Sequence, residues 1–133
     1  MTSKGSRTRL TWEGDSQKEI RSWPKTVREN VGNDLSRLER DEPPLDGKFM
    51  GNGLYELRDE EENVQYRVLY AMNAGWIYVL HCFIKKTEQT PPHDLQLAQK
   101  RREMAVKRND PPYKEPEPAA KGQQTDAKRN KRI

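Results

Sequence analysis

Hydrophobic residues recur with helical spacing in the first third of the chain. Four of them follow one another at intervals of four, four and three, which places them on one face of a helix. They are Val27, Val31, Leu35 and Leu38. The Asp-Glu-Pro-Pro stretch at residues 41–44 ends this helix. A shorter helix is expected before it, because residues 16–19 have capping-box spacing and precede Ile20 and Trp23. Pro24 suits the first turn of the second helix.

The middle of the chain has the pattern of β-strands instead. Three runs are rich in aromatic and branched residues, namely 54–58, 65–72 and 76–84. Glycines between residues 47 and 53 indicate loops, the acidic stretch 59–63 a turn, and residues 73–75 (Asn-Ala-Gly) a hairpin turn. Short links between consecutive strands predict an antiparallel meander. Weak alternation over residues 7–12 adds a short first strand.

A last helix is predicted from Thr90 and Pro91, as cap and first position, to about Arg108. Its apolar stripe is thin, which favours a place on the surface of the domain. We therefore predict one α/β (α+β) domain over residues 1–109, with a curved antiparallel sheet. The two front helices cover one face of this sheet and leave the other face free for a site. Residues 110–133 have the composition of a basic, disordered tail.

Charge is distributed unevenly along the 133 residues. Residues 1–83 hold 12 Lys and Arg against 14 Asp and Glu, a net of −2, whereas residues 84–133 hold 13 against 7, a net of +6. A basic end favours a polyanion as partner, most often nucleic acid, although a solvated surface would have the same composition. One cysteine excludes an internal disulfide and indicates a reducing compartment. No signal peptide or membrane span is evident, so a cytoplasmic protein is expected.

The residues best suited to chemistry form a basic group on the predicted strands. They are Arg58, Arg67, His81, Lys85 and Lys86, and the aromatic Phe83 lies between His81 and Lys85. Four of them have a structural alternative: an ion pair with residues 59–62 for Arg67, a satisfied core histidine for His81, and a solvated strand end for the two lysines. A metal site is disfavoured, because His81 and His93 lie on different elements and Cys82 is better explained as a core residue. No cofactor is expected.

The register of the hairpin decides whether this group meets. A three-residue loop at 73–75 would place Arg67 directly opposite His81, on one face of the sheet. A four-residue loop would place them on opposite faces. We favour the three-residue loop, because Gly75 then supplies the left-handed position before the second strand.

Such a group suits RNA. Arginine and lysine neutralise phosphate, and aromatic rings stack on bases. RNA also carries its own nucleophile, the 2′-hydroxyl, so a protein need only remove that proton, stabilise the pentavalent phosphate and protonate the leaving oxygen. This chemistry requires no metal.

Four segments in order resemble the RelE/HigB-like toxins of bacterial type II toxin–antitoxin systems, and in particular the phage-derived branch of the RelE/ParE superfamily. They read YELR from residue 55, YRVLY from 66, IYVLHCFIKKTEQTP from 77 and DLQLAQKRR from 94. The resemblance extends over roughly residues 12–104. It implies a small domain with two N-terminal helices, a curved antiparallel sheet and a C-terminal helix. It also implies an mRNA interferase that cuts messages on translating ribosomes, and a cognate helix-turn-helix antitoxin as partner.

The resemblance also assigns roles to individual residues. Arg67 matches the phosphate-binding and catalytic arginine of the YR pair, Arg58 matches the arginine that ends the preceding strand, and Lys86 lies near a charge-stabilising basic residue. Lys85 and His81 match a pattern of this branch. Positions that carry lysines in RelE-type enzymes look like Leu54 and Glu56 here, and the tyrosine near the C-terminal helix has no clear match, with Thr90 or His93 in that region.

The general base is therefore open between His81 and a desolvated Glu56. Two other functions also remain. One is a ParE-like toxin that inhibits gyrase without cutting RNA, and the other is a non-catalytic RNA- or ribosome-binding module.

Overall fold

The computed structural model describes residues 9–116, which form three helices and five strands. In chain order the elements are β1 (Leu10–Trp12), α1 (Ser16–Arg21), α2 (Lys25–Glu39), β2 (Gly47–Gly51), β3 (Leu54–Glu61), β4 (Val64–Asn73), β5 (Trp76–Lys85) and α3 (Pro92–Lys107). The predicted α+β class, with two helices before the main sheet and one after it, is confirmed. None of the helices within residues 9–116 combines the length and the apolar character that a membrane span needs.

The first two helices pack on one face of the sheet through the stripe that the spacing predicted. All four stripe residues of α2 are buried, together with Ile20 and Trp23 before it. The predicted capping box is wrong, because the N-cap of α1 is Asp15 rather than Ser16. The Ser16 hydroxyl is buried and donates to the Val79 carbonyl at 3.0 Å, so it fastens α1 to β5.

The strands form one sheet in the order β1-β5-β4-β3-β2. The last three strands in sequence make the predicted antiparallel meander, and β1 adds to it in parallel beside β5. The glycine-rich segment predicted as loops is the edge strand β2, in which Phe49 pairs with Tyr55 of β3. Glycine lowers strand propensity but does not prevent backbone pairing, and an edge strand needs few side-chain contacts.

The acidic stretch predicted as a turn is mostly strand as well. β3 continues to Glu61, and Glu62 and Asn63 alone make the turn to β4, with φ angles of 52° and 65°. Positive φ at both turn residues matches the right-handed twist of a tight hairpin. The carboxylates before the turn therefore point to defined faces of the sheet.

The second face of the sheet is only partly free, contrary to the prediction. α3 lies across one end of it, where Ala98 and Ala105 are buried against Leu69, Tyr78 and Leu80. Small residues on the inner side of the helix let its backbone approach the sheet closely. The opposite end of this face carries the polar residues described below.

Residues 110–116 have no regular secondary structure, yet they contact the domain. The Trp76 indole N–H donates to the Pro111 carbonyl at 2.5 Å, and the Tyr113 amide donates to the Ala74 carbonyl at 2.8 Å. The rings of Trp76 and Tyr113 also meet edge to face, with their centroids 5.4 Å apart. Pro111 and Tyr113 are thus held against the turn between β4 and β5, and the domain boundary at residue 109 stays a prediction. Residues 1–8 and 117–133, which include most of the predicted tail, lie outside the described residues.

These contacts predict that residues 110–116 contribute to stability. A chain that ends at residue 109 should unfold at a temperature roughly 10 °C lower than one that ends at residue 116, because two hydrogen bonds and an aromatic pair are together worth about 2 kcal/mol. Thermal unfolding followed by circular dichroism measures the difference. Equal melting temperatures for the two truncations would show that the segment does not stabilise the domain.

Candidate functional site

Three strands present nine side chains in three rows on the face that α3 partly covers. Residues paired across antiparallel strands point to the same face, so the rows follow from the pairing of β3, β4 and β5. The rows are Glu56, Leu69 and His81; Arg58, Arg67 and Phe83; and Glu60, Gln65 and Lys85. We call these nine residues the grid. The grid contains five of the six predicted site residues, and the sixth, Lys86, follows β5 as an exposed loop residue.

The turn that joins β4 to β5 is shorter than predicted. Its two residues are Ala74 and Gly75, both with positive φ, whereas the sequence favoured a loop of the three residues 73–75. If the register of this turn continued along the strands, Arg67 would pair with Cys82, and His81 would point to the opposite face, that of α1 and α2. The predicted geometry of the loop is therefore wrong.

A β-bulge in β5 returns His81 to the face on which Arg67 lies. Two successive residues of β4 pair with Val79 and His81, which leaves Leu80 between them without a paired residue. Beyond the bulge, Arg67 pairs with Phe83 instead of the predicted His81. The prediction that Arg67 and His81 share a face holds, although for a different reason.

Two arginines lie side by side in the central row, and each is neutralised separately. Arg58 pairs with Arg67 across the strands, an unfavourable arrangement for like charges. The Arg58 guanidinium donates to one carboxylate oxygen of Asp46 at 2.8 and 3.1 Å. The Arg67 Nε lies 3.7 Å from a carboxylate oxygen of Glu56. Burial lowers the pKa of Arg67, Glu56 opposes that shift, and the charge of Arg58 adds to it.

Arg67 is turned inward rather than toward solvent. Only 7% of it is exposed, and its guanidinium donates to the Tyr66 carbonyl at 2.9 Å and to the Gln65 side-chain oxygen at 3.3 Å. Its Nε is near enough to Glu56 for ion pairing, but the Nε–H donates no hydrogen bond within the described residues. The alternative that Arg67 pairs with residues 59–62 is wrong, because its carboxylate partner within 4 Å is Glu56.

Glu56 is the most deeply buried charged residue of the grid, with 2% of its surface exposed. A buried carboxylate requires compensation. One of its oxygens faces Arg67, and the other accepts a hydrogen bond of 2.5 Å from the Thr90 hydroxyl. Thr90 therefore does not cap α3 as predicted, since the helix begins at Pro92 with Pro91 as its N-cap.

His81 is held between a carboxylate and an aromatic ring. Its Nε2 lies 2.7 Å from Asp94 Oδ1 in the first turn of α3, and its ring stacks on Phe83 with 5.0 Å between centroids. Its Nδ1 is buried and has no hydrogen-bond partner among the described residues. If Nε2 carries the proton that Asp94 accepts, Nδ1 is left as a proton acceptor.

The two lysines at the end of β5 differ in their surroundings. Lys85 is half-buried in the grid, and its ammonium group donates to the Glu88 carbonyl at 2.5 Å. Lys86 is exposed, and it is the member of the predicted site that the sheet does not bring to the others.

Cys82 lies on the opposite face, in the core beneath α1 and α2, as the sequence predicted. Burial raises the pKa of its thiol well above the ordinary value, which makes the sulfur a poor nucleophile. Across residues 9–116, three or more His, Cys, Asp or Glu side chains do not come together as a metal site would require.

Two residues that hold the site together were not predicted in these roles. Thr90 was interpreted as a helix cap, and no role was predicted for Asp94. Both lie on the segment that returns from β5 across the grid, so their partners are far away in sequence. A hydroxyl and a carboxylate next to a helix start have a sufficient local explanation, and only the fold reveals the contacts with Glu56 and His81.

A comparison with protein-family models identifies the family of this chain, whereas a comparison with curated proteins finds no match. A family model described as phage-derived protein Gp49-like (DUF891) matches residues 18–103, which include the whole grid. This family is toxin-like and of the type found in toxin–antitoxin systems, which implies an antitoxin partner. The predicted phage-derived origin is confirmed, while the narrower RelE/HigB assignment stays a prediction. Because the match extends over well more than half of the sequence, the chain belongs to the Gp49-like family.

Proposed function

We propose that this protein is the toxin of a type II toxin–antitoxin pair and an endoribonuclease that cuts mRNA on the ribosome. The observation that carries the proposal is the central row of the grid, in which Arg58 and Arg67 lie side by side with Lys85 in the next row. Each arginine is neutralised by a carboxylate of the protein, and a phosphodiester offers the same kind of partner to both. Two guanidinium groups on adjacent strands match an RNA backbone better than the scattered charges of an ordinary surface.

The chemistry follows from RNA's own nucleophile. The 2′-oxygen attacks the adjacent phosphorus, the bond to the 5′-oxygen breaks, and the products are a 2′,3′-cyclic phosphate and a 5′-hydroxyl. Arg67 stabilises the charge that develops on the phosphorane oxygens. Arg58 and Lys85 hold the phosphates, and Phe83 flanks a base. Lys86, on the loop that follows β5, donates the proton that the departing 5′-oxygen takes up. This scheme uses side chains alone, with neither metal nor cofactor, in the cytoplasm where ribosomes work.

His81 is our candidate for the base that removes the 2′-hydroxyl proton. In the tautomer that donates from Nε2 to Asp94, Nδ1 is the nitrogen that can accept a proton. Asp94 would then be a positioning residue, because it acts on the reaction only through His81. Glu56 is the competing base, but both of its oxygens already have partners, in Arg67 and Thr90.

The lysines should matter more for RNA than for the antitoxin. Lys85→Ala combined with Lys86→Ala removes two cations beside the phosphates, so we expect RNA cleavage to fall by more than about tenfold, at roughly 1 kcal/mol or more per charged contact. Binding of the antitoxin, measured by calorimetry on the same protein, should change less than threefold. Equal losses in both measurements would place the lysines in the partner interface instead.

Primer extension on cellular mRNA after induced expression tests the function itself. New 5′ ends within translated codons are expected, and they should disappear when translation initiation is blocked. Intact messages together with DNA damage would instead favour a ParE-like inhibitor of gyrase. Growth arrest without either effect would favour a module that binds RNA or the ribosome and does not cut.

A further inference from the structure

The grid is closed to a ligand in the described conformation. Phosphate must reach Arg67 for the proposed function, yet Arg67 is 7% exposed and Glu56 only 2%. The guanidinium of Arg67 is folded back onto its own strand, where it donates to the Tyr66 carbonyl. A movement must therefore precede any contact between this arginine and a phosphodiester.

The segment from the end of β5 into α3 is attached to the grid at three points. Residues 86–89 are exposed, and the Lys85 ammonium group donates a hydrogen bond to the Glu88 carbonyl. Thr90 is buried, and its hydroxyl donates a hydrogen bond to the Glu56 carboxylate. One turn later Asp94 meets His81. We call residues 86–94 the cover.

Two residues of the cover make contacts with Glu56 and His81, the two candidates for the general base. Thr90 uses one oxygen of Glu56 and Asp94 uses one nitrogen of His81, while the remaining oxygen of Glu56 faces Arg67. These are contacts of single side chains with the sheet, and the exposed residues 86–89 add little burial to them. Segments attached in this way open locally at a small fraction of the cost of global unfolding.

We propose that residues 86–94 regulate access to the grid, with the Thr90–Glu56 hydrogen bond as the latch of the closed state. When the latch opens, Glu56 loses its second partner, and Arg67 is free to turn from the sheet toward an entering phosphate. This inference rests on the proposed function for the identity of the ligand, but not for the movement.

The chain supplies a matched pair of variants. Thr90→Val keeps the size of the side chain and removes the hydroxyl that reaches Glu56. Thr87→Val makes the same change three residues earlier, where the hydroxyl donates only to the Gln89 carbonyl within the loop. Two measurements on the folded, full-length protein follow the movement without RNA. They are hydrogen exchange of the Asp94 and Leu95 amides, which donate to the Pro91 carbonyl of the cover, and modification of Arg67 by phenylglyoxal located by peptide mass spectrometry.

Thr90→Val should speed exchange of these amides about tenfold, as expected for the loss of one buried hydrogen bond, and should raise modification of Arg67 in parallel. Thr87→Val should leave both rates near those of the wild type. Unchanged exchange in Thr90→Val would overturn the latch. Faster exchange with Arg67 still protected would overturn the cover, because the segment would then move without exposing the site.

Cleavage of a single-stranded RNA oligonucleotide separates this inference from the proposed function. If Thr90→Val opens the site and cuts faster than the wild type, both are supported. If the two rates rise but neither protein cuts RNA or inhibits translation, the cover stands and the proposed activity fails. A Thr90→Val protein that opens and cuts more slowly than the wild type would overturn regulation by the latch.

Discussion

Replacement of Arg67 by alanine is expected to slow RNA cleavage strongly and to destabilise the protein at the same time. Loss of one group that stabilises transition-state charge lowers kcat by about 10²–10³-fold. The same change leaves Glu56 buried with no cation beside it, and breaking a buried pair in this way costs about 3–5 kcal/mol. Chemical denaturation and cleavage assays on purified protein measure the two effects separately.

Because Arg67→Ala affects both properties, a second variant is needed to assign the lost activity. Arg67→Lys keeps a positive charge beside Glu56 but loses the planar fork that binds two phosphate oxygens. We expect it to remain folded and to cut at least about tenfold more slowly than the wild type. Arg28→Lys, on the exposed side of α2, is the matched control and should retain full activity. A folded Arg67→Lys protein with wild-type kcat would remove Arg67 from the catalytic machinery.

The parts of the fold that the sequence predicted are those whose patterns are local. The stripe of α2 and the apolar runs of β4 and β5 have a period that one element alone explains. The edge strand β2 was missed because its glycines carry no side-chain pattern, and only its partner β3 makes it a strand. β3 was predicted too short, because the carboxylates beyond Arg58 resemble a turn although they point to alternate faces.

The site was predicted in its composition but not in its contacts. The period of two in β5 brought His81, Phe83 and Lys85 to one face, and that relation survived the wrong loop length. The bulge at Leu80 has no signal in a run of apolar residues, because it depends on how β5 is fitted between β1 and β4. The pairing of Glu56 with Arg67 follows from the register of a third strand, which the sequence also leaves open.

Asp94 either positions His81 as the general base or only supports the structure, and a double-mutant cycle distinguishes these two roles. If His81 is the general base, His81→Ala should lower kcat by about 10²–10⁴-fold and leave KM nearly unchanged, because the imidazole holds no phosphate. Wild-type cleavage by a folded His81→Ala protein would transfer the role to Glu56. Cleavage of a defined RNA under multiple-turnover conditions supplies both constants.

Asp94→Asn tests positioning rather than mere structural support. The amide oxygen can still accept from Nε2, but the negative charge that stabilises a protonated imidazole is gone, so we expect kcat to fall at least about tenfold. Glu103→Gln, an exposed change on the same helix, should have no effect. If Asp94 acts through His81, adding Asp94→Asn to His81→Ala should cause no further loss. Multiplied losses would mean that Asp94 affects cleavage by another route, such as fastening α3 to β5, and the positioning role would be rejected.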